Sequence, residues 1–385
     1  MYAIKLIIKN TFRHKLRTGL TILSITIAIL AFGLLRTVID TWYSGVKGSS
    51  AIRLVTRNAV SLVFSLPISY KEKLHQIEGV KTVSYGNWFG GVYIDEKNFF
   101  ANFAVEPRSF FQMYPEYILR PDEREAFFRS RKGFVAGAKL AKRYGWRVGD
   151  VVTLKGTIYP GNWEFILSGI YRGRDKDTDE SQFLFHWEYL NETLKKIIPA
   201  RADQVGYYMI EVTNADLVAD ISIKIDKMFQ NSLAETLTET EKAFQLGFVS
   251  MSEAIITALR LVSLVVIIII LAVVANTINM TARERIGEYA VFKTLGFGGW
   301  RIAVLLLGES LVITMMGCLI GIAMTFPSAG AFARALGAYF PHFNVTLRTI
   351  YLDIGLSLLV GILAAIFPIY RSVKTPIADG LRRIG

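Results

Sequence analysis

Cysteine is almost missing from this 385-residue chain. The one thiol, Cys318, lies inside an apolar run, so no disulfide within one chain is available, and it reads as a small packing residue. Histidine is nearly as scarce. The four, His14, His75, His186 and His342, are scattered, with no two at ligand spacing, and the motifs H-E-x-x-H, C-x-x-C and G-x-S-x-G do not occur. The residues therefore carry no recognisable catalytic constellation, metal site or cofactor site, and the chain is not expected to be an enzyme. The phosphate loop G-x-x-x-x-G-K-[ST] does not occur either, so an ordinary P-loop nucleotide site is excluded and any ATP must be hydrolysed by a partner.

What the chain has in abundance is apolar length. With 52% hydrophobic residues and a mean hydropathy of +0.36 it is too apolar for two or three soluble domains. A bilayer core of roughly 30 Å asks for about 20 consecutive apolar residues in a helix. Four stretches approach that: Thr18 to Leu35, between Arg17 and Arg36; Leu261 to Ala282, containing VVIIIILAVV; about Ile302 to Pro327; and Ile354 to Tyr370, flanked by Tyr351 and Tyr370 as interfacial anchors. The first is longer than a signal-peptide core and no A-x-A-like cleavage site follows it, so it is kept as a span. Ahead of it, Ile4, Ile7, Ile8 and Phe12 oppose Lys5, Lys9 and Arg13 at helical spacing, which suits a helix lying along an interface.

The net charge of +12 points to membrane orientation and away from nucleic acid, because the cations flank the apolar runs. Lys5, Lys9, Arg13, Lys15 and Arg17 precede the first span. Arg283, Arg285, Lys293 and Arg301 lie between the second and third, and Arg371, Lys374, Arg382 and Arg383 follow the fourth. The loop 328–349 has only Arg334 and Arg348. Positive residues stay inside, so both termini and the 283–301 loop are expected in the cytoplasm of a bacterial inner membrane, with residues 41–260 outside. The expected architecture is an α-helical membrane protein with four transmembrane helices and a large α+β extracytoplasmic domain inserted between helices 1 and 2. Its segments are 1–40 (interfacial helix and first span), 41–230 (the outer domain), 231–260 (a helical stalk, from the polar run NSLAETLTETEKAFQLGF) and 261–385 (three spans and a basic tail). Within the outer domain, Val151–Leu154 and Trp163–Leu167 read as strands, and Lys139–Tyr144 and 216–229 as helices.

Inside the third span, Glu309 is costly in lipid and should face protein or water. No intramembrane partner is evident, so a structural hydrogen bond that sets helix packing is preferred over a proton or substrate site. Gly317 and Gly321, four apart on the same helix, allow another helix close approach.

The segment TARERIGEYAVFKTLGFGGW, residues 281–300, is helix-favouring up to Leu295, with Gly296 as its stop. Its Glu284-Arg285, Glu288, Lys293 and Leu295-Gly296 resemble the E-R-x-x-E-I-G-x-x-[KR]-x-[LI]-G signature of the FtsX-like permease family, with Tyr289-Ala290 where Ile-Gly is usual. Pro368, Arg371, Pro376 and Leu381-Arg382 are similar to the family's ending, and Lys15-Leu16-Arg17-Thr18 with Leu20-Thr21 to its entry into the first span. Ala141-Lys142-Arg143-Tyr144-Gly145, Val148-Gly149-Asp150, Val152 and Leu167-Ser168-Gly169-Ile170 resemble a MacB-like periplasmic core domain. The resemblance implies the permease subunit of an ABC transporter, for efflux or other transenvelope transport. Residues 283–296 would be a coupling helix whose Glu284, Arg285, Glu288 and Lys293 present charges to the ATPase. It further implies a separate ATPase holding the ATP and Mg, a second permease copy or homologue, membrane lipids around the spans, and in some members a periplasmic adaptor and an outer-membrane channel. Two alternative roles follow from the same resemblance: Lol-like lipoprotein extraction, and FtsX-like signalling to an external enzyme with no substrate moved.

Overall fold

The computed structural model describes residues 2–43, 46, 48–98, 100–175, 178–336 and 343–378, so His342, Leu381, Arg382 and Arg383 lie outside the described residues. In chain order, α1 (Tyr2–Thr11) and α2 (Lys15–Trp42) are followed by α3 (Tyr70–His75), α4 (Pro107–Met113), α5 (Pro121–Arg129), α6 (Ala138–Tyr144), α7 (Trp187–Ile197), α8 (Val218–Met228) and α9 (Glu241–Met251). Then come α10 (Glu253–Glu284), α11 (Ile286–Thr294), α12 (Gly299–Leu336) and α13 (Leu347–Lys374). The chain divides into a helical unit, 2–41 with 252–335 and 343–378, and a sheet-bearing unit, 42–251.

In the helical unit, α2, α10, α12 and α13 are long and apolar enough to cross a membrane. Helix α12 continues past Pro327 to Leu336, so part of the expected 328–349 loop is helical. The packing of α2 on α12 follows from two glycines. A Cβ on Gly317 would lie 2.6 Å from Ile25 Cβ, and one on Gly321 would lie 2.8 Å from Ile29 Cβ, so the four-residue glycine spacing receives the two isoleucines of α2. Gly308 likewise admits Ile7 of α1. Hydroxyls hold the remaining contacts: Ser310 Oγ donates to the Gly361 carbonyl at 2.7 Å and Thr26 Oγ1 to that of Gly317 at 3.3 Å. Outward, α10 exposes Leu261, Ile268 and Ile269, which is how a helix with apolar surroundings distributes its side chains.

The sheet-bearing unit has β1 (Arg53–Asn58), β2 (Leu66–Pro67), β3 (Val80–Trp88), β4 (Gly91–Val92), β5 (Asn102–Val105), β6 (Tyr117–Ile118), β7 (Gly133–Gly137), β8 (Val151–Gly156), β9 (Gly161–Gly173), β10 (Phe183–His186), β11 (Gln204–Val205), β12 (Tyr207–Val212) and β13 (Thr236–Thr240). The main sheet runs β13-β1-β12-β3-β5-β10-β7-β9-β8-β4, with β10–β5 and β7–β9 parallel and the other pairs antiparallel. Strand β10 is buried throughout because both sheet faces are covered. Phe183 and Phe185 enter one core with Phe89, Phe134 and Phe165, while Leu184 enters a second with Phe110, Phe127 and Tyr171. The strands and helices read from the sequence appear as β8, β9, α6 and α8. The glycines of the quoted MacB-like stretch do turn work: Gly145 (φ +69) ends α6 and Gly149 (φ +97) turns the chain, its N–H donating to the Leu167 carbonyl at 2.8 Å.

The expected helical stalk over 231–260 is corrected in its first part. Residues Thr236–Thr240 form β13, paired with β1, and helix begins only at Glu241. The reason is local: Thr236 and Thr238 alternate inward, and Thr238 meets Thr56 hydroxyl to hydroxyl at 2.9 Å. At the same end of this pair, buried Arg53 reaches Glu241 at 2.7 Å and Glu116 at 2.8 Å and stacks on Tyr114. Burial opposes the Arg53 charge, but Glu241, Tyr114 and Glu116 outweigh it and raise its pKa.

Candidate functional site

The charged segment between the second and third long helices is not one continuous helix. Helix α10 ends at Glu284, Arg285 breaks the backbone (φ −105, ψ 13), and α11 spans Ile286–Thr294. The expected 283–296 helix is therefore shorter at both ends. Gly296 does terminate it, at φ +84, with its N–H donating to the Lys293 carbonyl at 3.1 Å.

Each of the four charges singled out from the sequence is bound within the chain. Glu284 takes both Arg17 terminal nitrogens, at 2.8 and 2.7 Å, a fork that fixes the entry of α2 against the end of α10. Glu288 accepts from Arg13, in the turn between α1 and α2, and from Arg285 Nε at 3.0 Å. Burial resists the charge on Glu288, and hydrogen bonds from the two arginines more than compensate, so its pKa is lowered. Lys293 Nζ donates to the carbonyls of Ser372, Val373 and Thr375 at 3.1, 2.9 and 2.8 Å, satisfying carbonyls that the end of α13 leaves open. Burial lowers the pKa of this ammonium.

Arg285 and Glu309 need the largest correction. Glu309 is not a lone carboxylate: Arg285 Nη1 donates to its Oε1 at 2.6 Å, and the two side chains are only 5% and 2% exposed. Arg285 is thus turned into the unit and presents no charge to a partner. Its guanidinium lies 5.3 Å from the centre of the Tyr289 ring. Burial works against the Arg285 charge, while Tyr289, Glu309 and Glu288 raise its pKa on balance. Tyr289 and Ala290, which stand where the signature has Ile-Gly, are both buried.

Helix α11, with Arg285 as its N-terminal cap residue, is consequently joined by side chains to the α1–α2 turn through Glu288 and Arg13, to α12 through Arg285 and Glu309, and to α13 through Lys293. Beyond it lies an apolar rim: Val291, Leu295 (69% exposed), Phe297 and Trp300 (79% exposed). Arg13, Arg17 and this rim were not picked out from the sequence as site residues. The arginines had a signal, since they are four residues apart and so are Glu284 and Glu288.

The family model described as FtsX-like permease C-terminal matches residues 260–377, which contain this whole junction apart from its N-terminal arginines. Residues 260–377 form an FtsX-like permease domain. An uncharacterized ABC transporter permease of Methanocaldococcus jannaschii is 22% identical over 399 aligned residues, covering 97% of this chain and 96% of that protein. An uncharacterized ABC transporter permease protein of Mycobacterium tuberculosis is 22% identical over 265 residues, covering 67% of this chain and 29% of that protein. Among solved structures, the extracellular domain of the noncanonic ABC-type transporter YknZ from Gram-positive bacteria aligns with 49% of this chain and all of that domain, at 10% identity and a TM-score of 0.36. The chain is thus similar along most of its length to an ABC transporter permease, and the residues matched by the FtsX-like model carry three of the four apolar helices.

Proposed function

We propose that the chain is the membrane subunit of an ABC transporter in which α11 receives the movements of a separate ATPase, the holder of ATP and Mg, and distributes them to the other helices. The observation that carries this reading is the set of ties from α11 to the α1–α2 turn, α12 and α13. A displacement of α11 would move those elements with it, because ion pairs and carbonyl hydrogen bonds resist separation more than apolar contact alone. The charges of the signature act here as internal fasteners. The surface left for the ATPase is the apolar rim, and a Trp that is exposed in one subunit and buried at an interface is a common anchor.

The cation distribution supports four spans in the inner membrane with both termini cytoplasmic and the sheet-bearing unit outside, as the periplasmic core domain. A second permease copy completes the transporter in this reading, with export or efflux as its work. A periplasmic adaptor and an outer-membrane channel belong to that work; lipoprotein extraction or signalling to a periplasmic enzyme are the alternatives, and the proteins that copurify distinguish them.

The test of the docking surface is copurification of the tagged, membrane-expressed chain with its ABC ATPase. Leu295→Asp with Trp300→Asp should remove the ATPase while leaving the amount of inserted chain unchanged. Full ATPase recovery with the double variant would overturn the assignment.

A further inference from the structure

A second ionisable group is buried in the helical unit, and the FtsX-like signature does not contain it. Asp353, on α13, is 1% exposed, and its Oδ1 makes no hydrogen bond among the described residues. Three helices meet at this carboxyl. A Cβ built on Gly33 of α2 would lie 3.4 Å from Asp353 Oδ2 and 3.3 Å from Thr325 Oγ1 of α12, so the absent side chain at Gly33 leaves the carboxyl its space. The Asp353 carbonyl accepts from the Cys318 thiol at 3.6 Å, and Ser357, one turn along α13, is buried with no nitrogen or oxygen partner for its hydroxyl.

Among the described residues, no Lys, Arg or His comes within ion-pair distance of Asp353. The cation on the facing stretch of α2, Arg36, is instead paired with Asp40 at 3.5 Å, and its buried Nε makes no hydrogen bond. Asp40 also accepts from Thr346 Oγ1 at 3.3 Å. Gly33 opposite Asp353 and Asp40 opposite Thr346 set α2 and α13 antiparallel. Arg36 then stands three residues from Gly33, about 4.5 Å along the axis, within an arginine side chain's reach of Asp353. From α12 the site meets Cys318 and Thr325 and no charged group; α10, which also packs on α13, carries only Glu253 and Arg260 at this end, both exposed.

An ionised carboxylate in this setting would be unpaired and almost wholly withdrawn from water, whereas the neutral acid asks for one acceptor only. We propose that Asp353 is a proton-binding site, occupied while Arg36 is held by Asp40, and that loss of the proton draws Arg36 from Asp40 to Asp353. The proton passes from an Asp353 carboxyl oxygen to solvent water; the guanidinium keeps its charge and changes partner from Asp40 to Asp353. The ligand is the proton, and its binding selects between two arrangements of α2 against α13. The inference stands independently of how the ATPase is engaged.

The experiment is infrared difference spectroscopy of the full-length chain in lipid nanodiscs, titrated with pH in light and heavy water. At neutral pH the carbonyl stretch of a protonated carboxylic acid should be present, shift on deuteration, and vanish as pH rises. It should be missing in Asp353→Asn, a near-isostere of the neutral acid, and retained in Glu309→Gln. Labelling the wild-type chain with carboxyl-¹³C aspartate should move the same band, which assigns it without any substitution. Arg36→Gln, by removing the cation that receives the ionised form, should raise the proton affinity at least tenfold. A band unaffected by both aspartate labelling and Asp353→Asn would overturn the proposal. So would removal of the wild-type band by sodium or potassium at fixed pH, which would make this a metal-cation site, or an unchanged midpoint in Arg36→Gln.

Discussion

Arg285→Met exposes what the buried pair with Glu309 contributes. The pair is separated by 2.6 Å between nitrogen and oxygen, and its side chains are 5% and 2% exposed. With charge centres about 4 Å apart and an effective dielectric constant near 20, the attraction is about 4 kcal/mol, and desolvating the two ions costs a comparable amount. The intact pair is then close to neutral for stability, while a single substitution leaves a buried charge unpaired. Arg285→Met should cost about 3 to 5 kcal/mol, since among the described residues Glu309 has no other cation within ion-pair distance. Glu309→Gln should cost less, about 2 kcal/mol, because Arg285 retains Glu288 at 3.0 Å. The double variant Arg285→Met/Glu309→Leu should return to within about 1 kcal/mol of wild type. The assay is reversible unfolding of the purified chain in mixed micelles, followed by far-UV circular dichroism. A loss below about 1 kcal/mol for Arg285→Met, or a double variant that costs the sum of the singles, would refute this account of the pair.

Four further outcomes follow from contacts already described. Gly317→Ala forces a Cβ against the stiff Ile25 side chain and should cost about 1 to 3 kcal/mol by the same unfolding assay, whereas Gly330→Ala, with open space around it, should be neutral or slightly stabilising. Arg17→Glu and Glu284→Arg should each lower the yield of assembled transporter, and the charge-swapped pair should restore it; failure of the swap would mean that these charges face a partner protein. Lys293→Met removes the donor to three carbonyls and should speed hydrogen exchange in the last turn of α13, with other helices unchanged. Burial lowers the His186 pKa from 6.5, so the unfolded chain binds a proton that the folded chain refuses; stability is full above about 6.5 and falls on acidification below it, a slope that His186→Gln should remove from the thermal melting of the sheet-bearing unit.

The apolar runs were legible because a helix of that length and composition has few other ways to satisfy its backbone. Gly317 with Gly321, and Gly296 as a stop, were legible for an equally local reason: each is a demand on one backbone position. Partners were not. Arg17 and Glu284 lie 267 residues apart, and nothing in either neighbourhood says that the start of one long helix meets the end of another. Reading Glu284 to Lys293 on one helical wheel was the error behind the expectation of an outward-facing Arg285, since the break at Arg285 turns that residue inward. The strand Thr236–Thr240 was hidden because its pairing partner, β1, sits at the opposite end of the inserted segment. Asp353 was passed over because it falls just before the apolar run proper, where a carboxylate looks like the edge of a span.

The antiparallel pair of β1 and β13 has a consequence for how such a chain can diversify. Leu54 stands opposite Thr240, so the segment between these two residues begins and ends within one strand spacing, about 4.8 Å, and Arg53 with Glu241 closes that neck inside the sheet-bearing unit. A segment whose two ends are neighbours asks little of the strands that carry it, since its exchange need neither stretch nor rotate them. The roughly 180 residues between the two strands are therefore free to be exchanged, enlarged or reshaped as one cassette. Grafting should succeed with junctions that leave Arg53 and Glu241 on the same side of the cuts and fail with junctions that separate them, where Arg53 would lose Glu241.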